Sequence, residues 1–557
     1  MLEIMHDVPS TVPWTRCGHA SAVGRGGRRP CHRVVWCWPR VVSRAVSYVE
    51  EAMMPYSDGP ADEDWASWTP DRSSSVPLTE QVVDMVRSRV AQGRWGIGTT
   101  LPSQREMARR FNLNRSTIGQ AMRDLAALGI VDGRRGGGTT VVGNTWSTLL
   151  PRSLDWTGYV SSGSFRANSS VIQRINSLEF ESGMIRLGTG EPDPRLFPRD
   201  MWTAASASVM ERIPSLGYPE PRGLLGLREA LCARLVDVGI DATPSRMLIT
   251  SGALQALQLV SVCLLKPGSF VYTEEPSYVK SLQVFPSAGM TLRGIPMDAD
   301  GLDVRALERI LSSQSRPSIL YTIPTNHNPT GVTMTARRRA DLMELCSRYR
   351  LPIIEDAAYE ELCDGPRPRS LKSLDSTDSV IYVGTASKSL APGLRVGWVV
   401  APEAIVARLG DVKMQMDYGA SAVSQWLLAE LLRDGSYDRW LGVLTRELHR
   451  RRMAALEVLR RRCRSLATWN LPHGGFYIWM TLNHQLDMTE LFHRAADAGV
   501  LLNPGDLYDY RSTRSLRMSF AYAKPEEFDL GVARIVDIVR DMAATDDGRR
   551  SSRPGRP

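Results

Sequence analysis

The sequence predicts a multidomain chain, with a small N-terminal winged helix-turn-helix joined to a large C-terminal α/β domain. Three observations predict this. At about 100–200 residues per domain, 557 residues are too many for one. The hydrophobic period changes abruptly at Pro77, just before a helical stripe that begins at Leu78. From residue 185 onward, short apolar strands alternate with amphipathic helices, as in an α/β domain. The expected organisation is an irregular, disordered extension over 1–75, the helix-turn-helix over 76–143 and a linker over 144–184. The α/β domain follows over 185–543, then a polar tail over 544–557.

Composition narrows the function classes. A chain 43% hydrophobic and 23% charged is ordinary for a folded protein. No run approaches the roughly 18 apolar residues that span a bilayer, and the basic first fifty residues lack the apolar core of a secretory signal. A cytoplasmic chain without a membrane partner is therefore expected. The net charge is +8, and only six of the 68 basic residues are lysines. An arginine-based surface suits phosphate and carboxylate, which the guanidinium fork binds in bidentate fashion. Eight cysteines without a CxxC point to reduced thiols. Cys17, His19, Cys31, His32 and Cys37 match no common zinc spacing, so no metal is expected.

In the small domain, Leu78, Val82, Val86 and Val90 recur every four residues, giving a first helix that Gly96 and Gly98 end. Ser103 and Glu106 have the spacing of a capping box at the start of a second helix. Phe111-Asn112-Leu113-Asn114 makes a tight turn, with Asn114 capping a third helix that buries Ile118, Met122 and Leu125. Residues 129–141 read as two short strands around a Gly- and Arg-rich tip, a wing. Residues 76–143 carry ten arginines against five carboxylates, so positive charge is concentrated there. A helical protein-interaction module with a basic face is the plainer reading, but cap, turn, third helix and wing all occur in order. Arg115, Ser116 and Thr117 open the third helix, where side chains reach base edges and amides reach phosphates. Arg134 and Arg135 on the wing can enter a minor groove or bind backbone.

These residues (P-L-x-E-Q, L-P-S-x-R-E, N-R-S-T and G-x-G-T) resemble the GntR-type winged helix over about 65 positions. The resemblance implies a transcriptional regulator that binds double-stranded DNA, with contacts at Arg105, Arg115, Ser116 and Thr117.

In the large domain the strongest motif is Thr385-Ala386-Ser387-Lys388, followed by Pro392-Gly393-Leu394-Arg395-Val396-Gly397 and preceded by the apolar strand Val380–Val383. Alone, a lysine between two serines is more often a surface residue. Here it follows a strand, and hydroxyls and an arginine beside it can hold a cofactor phosphate, as a Schiff-base lysine requires. A second strand ends in Asp356-Ala357-Ala358-Tyr359. A carboxylate there can pair with a pyridinium nitrogen and make the ring an electron sink. Ser251-Gly252-Ala253 lies where a strand runs into a helix, a ready phosphate site. Asn328, in the 324–331 loop, can contact the ring oxygen, and Tyr278 can stack on the ring.

Together these motifs resemble fold-type I aminotransferases over about 360 residues, so the large domain is expected to have the α/β fold of PLP-dependent transferases. The resemblance implies pyridoxal 5'-phosphate (PLP) bound through Lys388. Asp356 would face the ring nitrogen, and Tyr359 and Asn328 the ring oxygen. Ser251, Gly252, Ala253, Thr385, Ser387 and Arg395 would hold the phosphate, with Tyr278 stacked on the ring. It also implies that Arg517, near Gly190, takes a substrate or effector carboxylate, and that Tyr218 reaches the phosphate of a neighbouring subunit in a homodimer. The two domains together resemble MocR-type transcriptional regulators, in which the aminotransferase fold usually senses PLP, an amino acid or an amine. The alternative is a competent class I/II aminotransferase with an accessory DNA-binding domain. It is favoured by the unaltered N-P-T-G and D-x-x-Y motifs, and it leaves enzyme activity open.

Overall fold

The computed structural model describes residues 68–91, 95, 99–134, 138–142, 170–278, 283–314, 316–509, 511 and 513–551. The five cysteines and histidines weighed as metal ligands, Gly96, Gly98, Arg135 and the side chain of Arg134 lie outside the described residues.

Helix α1 (Leu78–Ala91) buries Val82, Val83, Val86 and Val90 on one face, as the four-residue spacing predicts. Strand β1 (Thr100–Leu101) leads into α2 (Gln104–Arg110), whose start is capped by Ser103: its hydroxyl accepts from the Glu106 amide at 3.2 Å. Such a cap contributes about 1 kcal/mol. The Glu106 carboxylate pairs with Arg110 at 3.1 Å. Asn112 turns the chain with φ of 49°, a left-handed conformation that asparagine tolerates better than most residues. Helix α3 (Arg115–Ala127) packs Ile118, Ala121, Met122 and Leu125 into the same small core as α1. Asn114 stands at its N-cap but without the expected side-chain bond; its carbonyl accepts from the Thr117 and Ile118 amides instead. Strands β2 (Val131–Arg134) and β3 (Gly138–Val141) pair antiparallel, and β1 joins β3, forming the wing.

The large domain is built on an eight-stranded mixed sheet. Its strands are β5 (Met247–Thr250), β6 (Phe270–Glu275), β7 (Thr291–Asp298), β8 (Gly301–Leu302), β9 (Ser318–Thr322), β10 (Ile353–Asp356), β11 (Val380–Thr385) and β12 (Gly397–Val400), in the order β5-β12-β11-β10-β9-β6-β7-β8. Strands β11, β10, β9, β6 and β7 are mutually parallel, whereas β12 runs antiparallel to both β11 and β5. Every residue of β5, β10, β11 and β12 is buried, which is why these strands read as unbroken apolar runs rather than alternating ones. Open sheets of this kind bind ligands beyond the carboxyl ends of their parallel strands. The sequence motifs fall there: after β5, β6, β9, β10 and β11.

Between β3 and that sheet, β4 (Ile185–Arg186) follows a helix over Ser170–Leu178. After the sheet, helix α4 (Ser436–Cys463) leads to a second sheet of β13 (Ala467–Trp469), β14 (Tyr477–Leu482), β16 (Asn503–Pro504) and β17 (Ser515–Ser519), in the order β13-β14-β17-β16. Strand β15 (Val500–Leu501) pairs with β4, and helix α5 (Pro525–Ser551) closes the described chain.

Three expectations differ in detail. Residues 68–75, expected in the irregular extension, pack on the small domain. The helix at 170–178 falls within the expected linker because its stripe of Val171, Ile175 and Leu178 is too short to stand out. Helix α5 runs into the expected polar tail, since Asp and Arg do not break an established helix. Among the described residues no helix is long and apolar enough to cross a membrane.

Candidate functional site

Strand β11 delivers the lysine. Its last residue, Thr385, is buried and accepts from the Ser387 amide at 3.2 Å, tightening the turn that presents Lys388. The Lys388 Nζ donates to the Gly190 carbonyl at 2.6 Å. Burial, seconded by the charge of Arg517, lowers the Lys388 ammonium to about 8; Glu191 and Asp356 oppose this. The amine is therefore much closer to its nucleophilic form at neutral pH than an exposed lysine is.

Asp356 ends β10, where its carboxylate accepts from Tyr321 Oη at 2.8 Å and the Ala358 amide at 3.1 Å. Burial raises its pKa, against those two bonds and the Lys388 charge. A buried carboxylate held only by neutral donors is suited to a cationic N–H. Tyr359, three residues on, is buried with its hydroxyl 2.9 Å from that of Tyr477.

The turn after β5 makes a cradle. Gly252 has φ of 89°, and a Cβ there would lie 2.7 Å from Arg395 Nη2. A Cβ on Gly397 would meet the Gly252 carbonyl carbon at the same distance, so two glycines let strand, guanidinium and helix start converge. Arg395 donates to the Ser251 carbonyl at 3.0 Å. A helix (Ala253–Leu264) begins at Ala253, so its N-terminal amides and Arg395 are donors suited to a phosphate. The Ser251 amide is taken by Gln255 Oε1 at 2.8 Å, and Gln255 is held in turn by buried Lys413 at 2.9 Å.

Arg517 lies on β17, opposite Trp479 of β14 and Asn503 of β16. It is buried and donates to Asn328 Oδ1 at 2.9 Å and to the Gly188 carbonyl at 2.5 Å. Its guanidinium packs over the rings of Tyr477 and Tyr508, at 4.3 Å and 4.7 Å. Glycine is required at 190, where a Cβ would stand 2.6 Å from Tyr477 Oη. The segment 188–190 thus touches both Arg517 and Lys388, and Tyr278 is partly exposed after β6. Tyr218 is 83% exposed and tilts against Tyr418 at 5.3 Å, so it belongs to the surface rather than to this cluster.

The sequence reading missed Tyr477, Tyr508, Gln255 and Lys413. Tyr477 had a signal, since Gly474-Gly475-Phe476-Tyr477 opens an apolar strand. Lys413 had a weaker one, as one of six lysines in the middle of a helix. At the other candidate surface, Arg105 near the start of α2 and Arg115 and Ser116 at the start of α3 are exposed, and Thr117 is half-buried.

Two sequence profiles match this chain: bacterial regulatory proteins of the gntR family over residues 78–141, and aminotransferase class I and II over residues 182–535. The HTH-type transcriptional regulator YisV of Bacillus subtilis (strain 168), itself uncharacterized, is 44% identical over 479 residues, covering 86% of this chain and 99% of the relative. The chain belongs to the MocR-type transcriptional regulators. A second relative, the HTH-type regulator NorG of Staphylococcus aureus (strain USA300), is 30% identical and covers 79% of this chain and 100% of its own. Among solved structures, a kynurenine aminotransferase of Pyrococcus horikoshii has 32% identity and a TM-score of 0.64, over 68% of this chain and 95% of its own. The α-aminoadipate aminotransferase LysN of Thermus thermophilus, complexed with N-(5'-phosphopyridoxyl)-L-leucine, has 31% identity and a TM-score of 0.65, over 70% and 100%. The large domain has their fold-type I architecture, so this family fold is shared between a regulator and enzymes.

Proposed function

We propose that this regulator binds operator DNA through its winged helix, as a homodimer in the cytoplasm, and that its large domain binds PLP and senses PLP itself or an amino acid or amine. The observation that carries this is Lys388, half-buried with a depressed pKa and placed through Gly190 within one hydrogen-bonded segment of Arg517. PLP, when bound, supplies a carbonyl for the lysine amine and a ring that withdraws electrons. Lys388 holds the cofactor; Asp356 pairs with its ring nitrogen; Asn328 and Tyr359 stand by the ring oxygen, and Tyr278 stacks on it. The phosphate is taken by Gly252, Ala253, Thr385, Ser387 and Arg395, and by the hydroxyl of Ser251, whose amide is already bonded. Arg517 grips the effector carboxylate beside Gly190. Tyr218 serves the partner subunit's phosphate, in keeping with its exposure. Arg105, Arg115, Ser116 and Thr117 address the DNA, together with Arg134 and Arg135.

A second reading has one specific support: the residues that hold the cofactor's reactive atoms in an aminotransferase all stand here. Transamination is then a residual or genuine activity of the same pocket. The test is to mix purified protein with PLP and follow the visible absorbance band. The wild type gains one that Lys388→Ala loses or shifts; identical spectra would remove Lys388 from the cofactor. Steady conversion of a keto acid in the presence of an amino acid would move the balance to the enzyme.

A further inference from the structure

Residues 68–76 precede the first helix of the DNA-binding fold and lie ahead of the matched gntR segment, which begins at residue 78. They nevertheless grip it at two places. At one end, Trp68 is half-buried against the small core and meets the ring of Phe111 edge-on, with centroids 4.8 Å apart at 84°. Phe111 itself is 3% exposed. At the other, the Gln81 side chain on α1 acts as a staple. Its Oε1 accepts from the Asp71 amide, and its Nε2 donates to the carbonyls of Asp71 and Val76, all at 2.8 Å. Asp71 folds the segment further by accepting from the Ser73 amide and hydroxyl at 2.8 Å and 2.6 Å.

Between these anchors, Arg72 Nη2 donates to the Asn112 carbonyl at 2.6 Å. Asn112 is the left-handed residue of the turn joining α2 to α3. Its amide and that of Leu113 bond back to α2, at the Arg109 and Ala108 carbonyls. The Arg72 cation therefore sits where the negative end of α2 favours it. That turn sets the angle at which α3 leaves α2, and α3 begins three residues later at Arg115. A side chain fixing the turn fixes the direction of the helix whose first residues meet the DNA.

We infer that residues 68–76 form a strap belonging to the DNA-binding module, and that Arg72 is a positioning residue that orients the recognition helix through Asn112. This rests on α3 being the recognition helix. The strap adds no phosphate contact of its own. It narrows the range of α3 orientations, so it acts on specific binding, which requires register, more than on non-specific binding, which requires charge.

Two measurements on the full-length chain test this, with Arg72→Ala, Arg72→Lys and Trp68→Ala. Arg72 is exposed, so its replacement leaves the fold intact. In hydrogen exchange, Arg72→Ala and Trp68→Ala speed amide exchange at 112–117 while exchange in α1 stays as in the wild type, and Arg72→Lys, which retains one donor, restores much of the protection. In duplex binding, Arg72→Ala lowers specific affinity by about tenfold, the scale of one charge-assisted hydrogen bond, with non-specific affinity and salt dependence unchanged. Unchanged exchange at 112–117 in both alanine variants overturns the strap. An equal fall in specific and non-specific affinity with a shallower salt slope overturns positioning in favour of a direct phosphate contact. If the wild type recognises no duplex specifically, the regulator reading fails, and the exchange result still decides the strap.

Discussion

The winged helix and the lysine pocket are built in opposite ways. The residues proposed to meet DNA at the start of α3 are neighbours in sequence, exposed at Arg115 and Ser116, and carried by one short helix over a small core. The pocket residues come from elements far apart in sequence, and Asp356, Asn328, Tyr359 and Arg517 among them are buried: Lys388 bonds Gly190 across 198 positions, and Arg517 bonds Gly188 across 329. One surface meets a large polyanion whose charge it neutralises in water. The other must strip a small ligand of water and hold it with groups that have already lost theirs. Single substitutions should therefore act strongly and specifically in the pocket, and more gently and in a salt-dependent way on the DNA surface.

The largest effect is expected at Arg517. Its removal takes away the proposed carboxylate grip and leaves Asn328 Oδ1 and the Gly188 carbonyl without their buried donor. Arg517→Ala should weaken binding of an amino acid effector by about 2–5 kcal/mol, measured by calorimetry, while an amine lacking a carboxylate is affected far less. Equal losses for both ligands would remove Arg517 from the carboxylate site. Next comes Gly252→Val, which combines backbone strain of about 1–3 kcal/mol with displacement of Arg395. PLP affinity should fall at least tenfold, with DNA affinity unchanged when no cofactor is added.

On the other side of the comparison, Arg115→Ala should cost about 1–3 kcal/mol on a specific duplex and relax preference at one base position. If the loss is uniform over all sequences, Arg115 holds a phosphate instead. The smallest change is one of pH. Because burial lowers Lys388 to about 8, its amine is mostly protonated below that pH and mostly free above it. The rate at which cofactor-free protein captures PLP should thus rise through pH 8 and level off well below the ordinary lysine range. A midpoint near 10 would contradict the environment described for Lys388.

The same contrast explains what was legible in the sequence. Caps, stripe and turn of the winged helix are local signals, so its helices and wing could be placed residue by residue. The exception, Asn114, shows that a residue suited to a cap leaves its side chain unused when the backbone carbonyl takes the helix's first amides. In the large domain, short motifs marked Lys388 and Asp356 at or just after strand ends and Asn328 in the loop after β9, and the family resemblance marked Arg517. The groups that hold them did not show. Tyr477 at the start of β14 and Tyr508 just after the turn at 505–507 both lie against the Arg517 guanidinium, and Lys413 reaches the turn after β5 through Gln255. Such partners are set by tertiary packing, which no local pattern encodes. The strap at 68–76 was missed for the same reason, since Trp68 and Arg72 have no period of their own.

We propose that the Lys388 pocket couples ligand binding to DNA binding. This coupling is tested most directly by titrating the DNA flanking its own gene with PLP-loaded wild type and with Lys388→Ala, each with and without candidate amino acids and amines. At least one ligand should shift the wild-type affinity, by no more than its differential affinity for the two states. Lys388→Ala should stay folded, bind the same DNA with basal affinity and not respond. A full ligand response in Lys388→Ala would rule out this coupling.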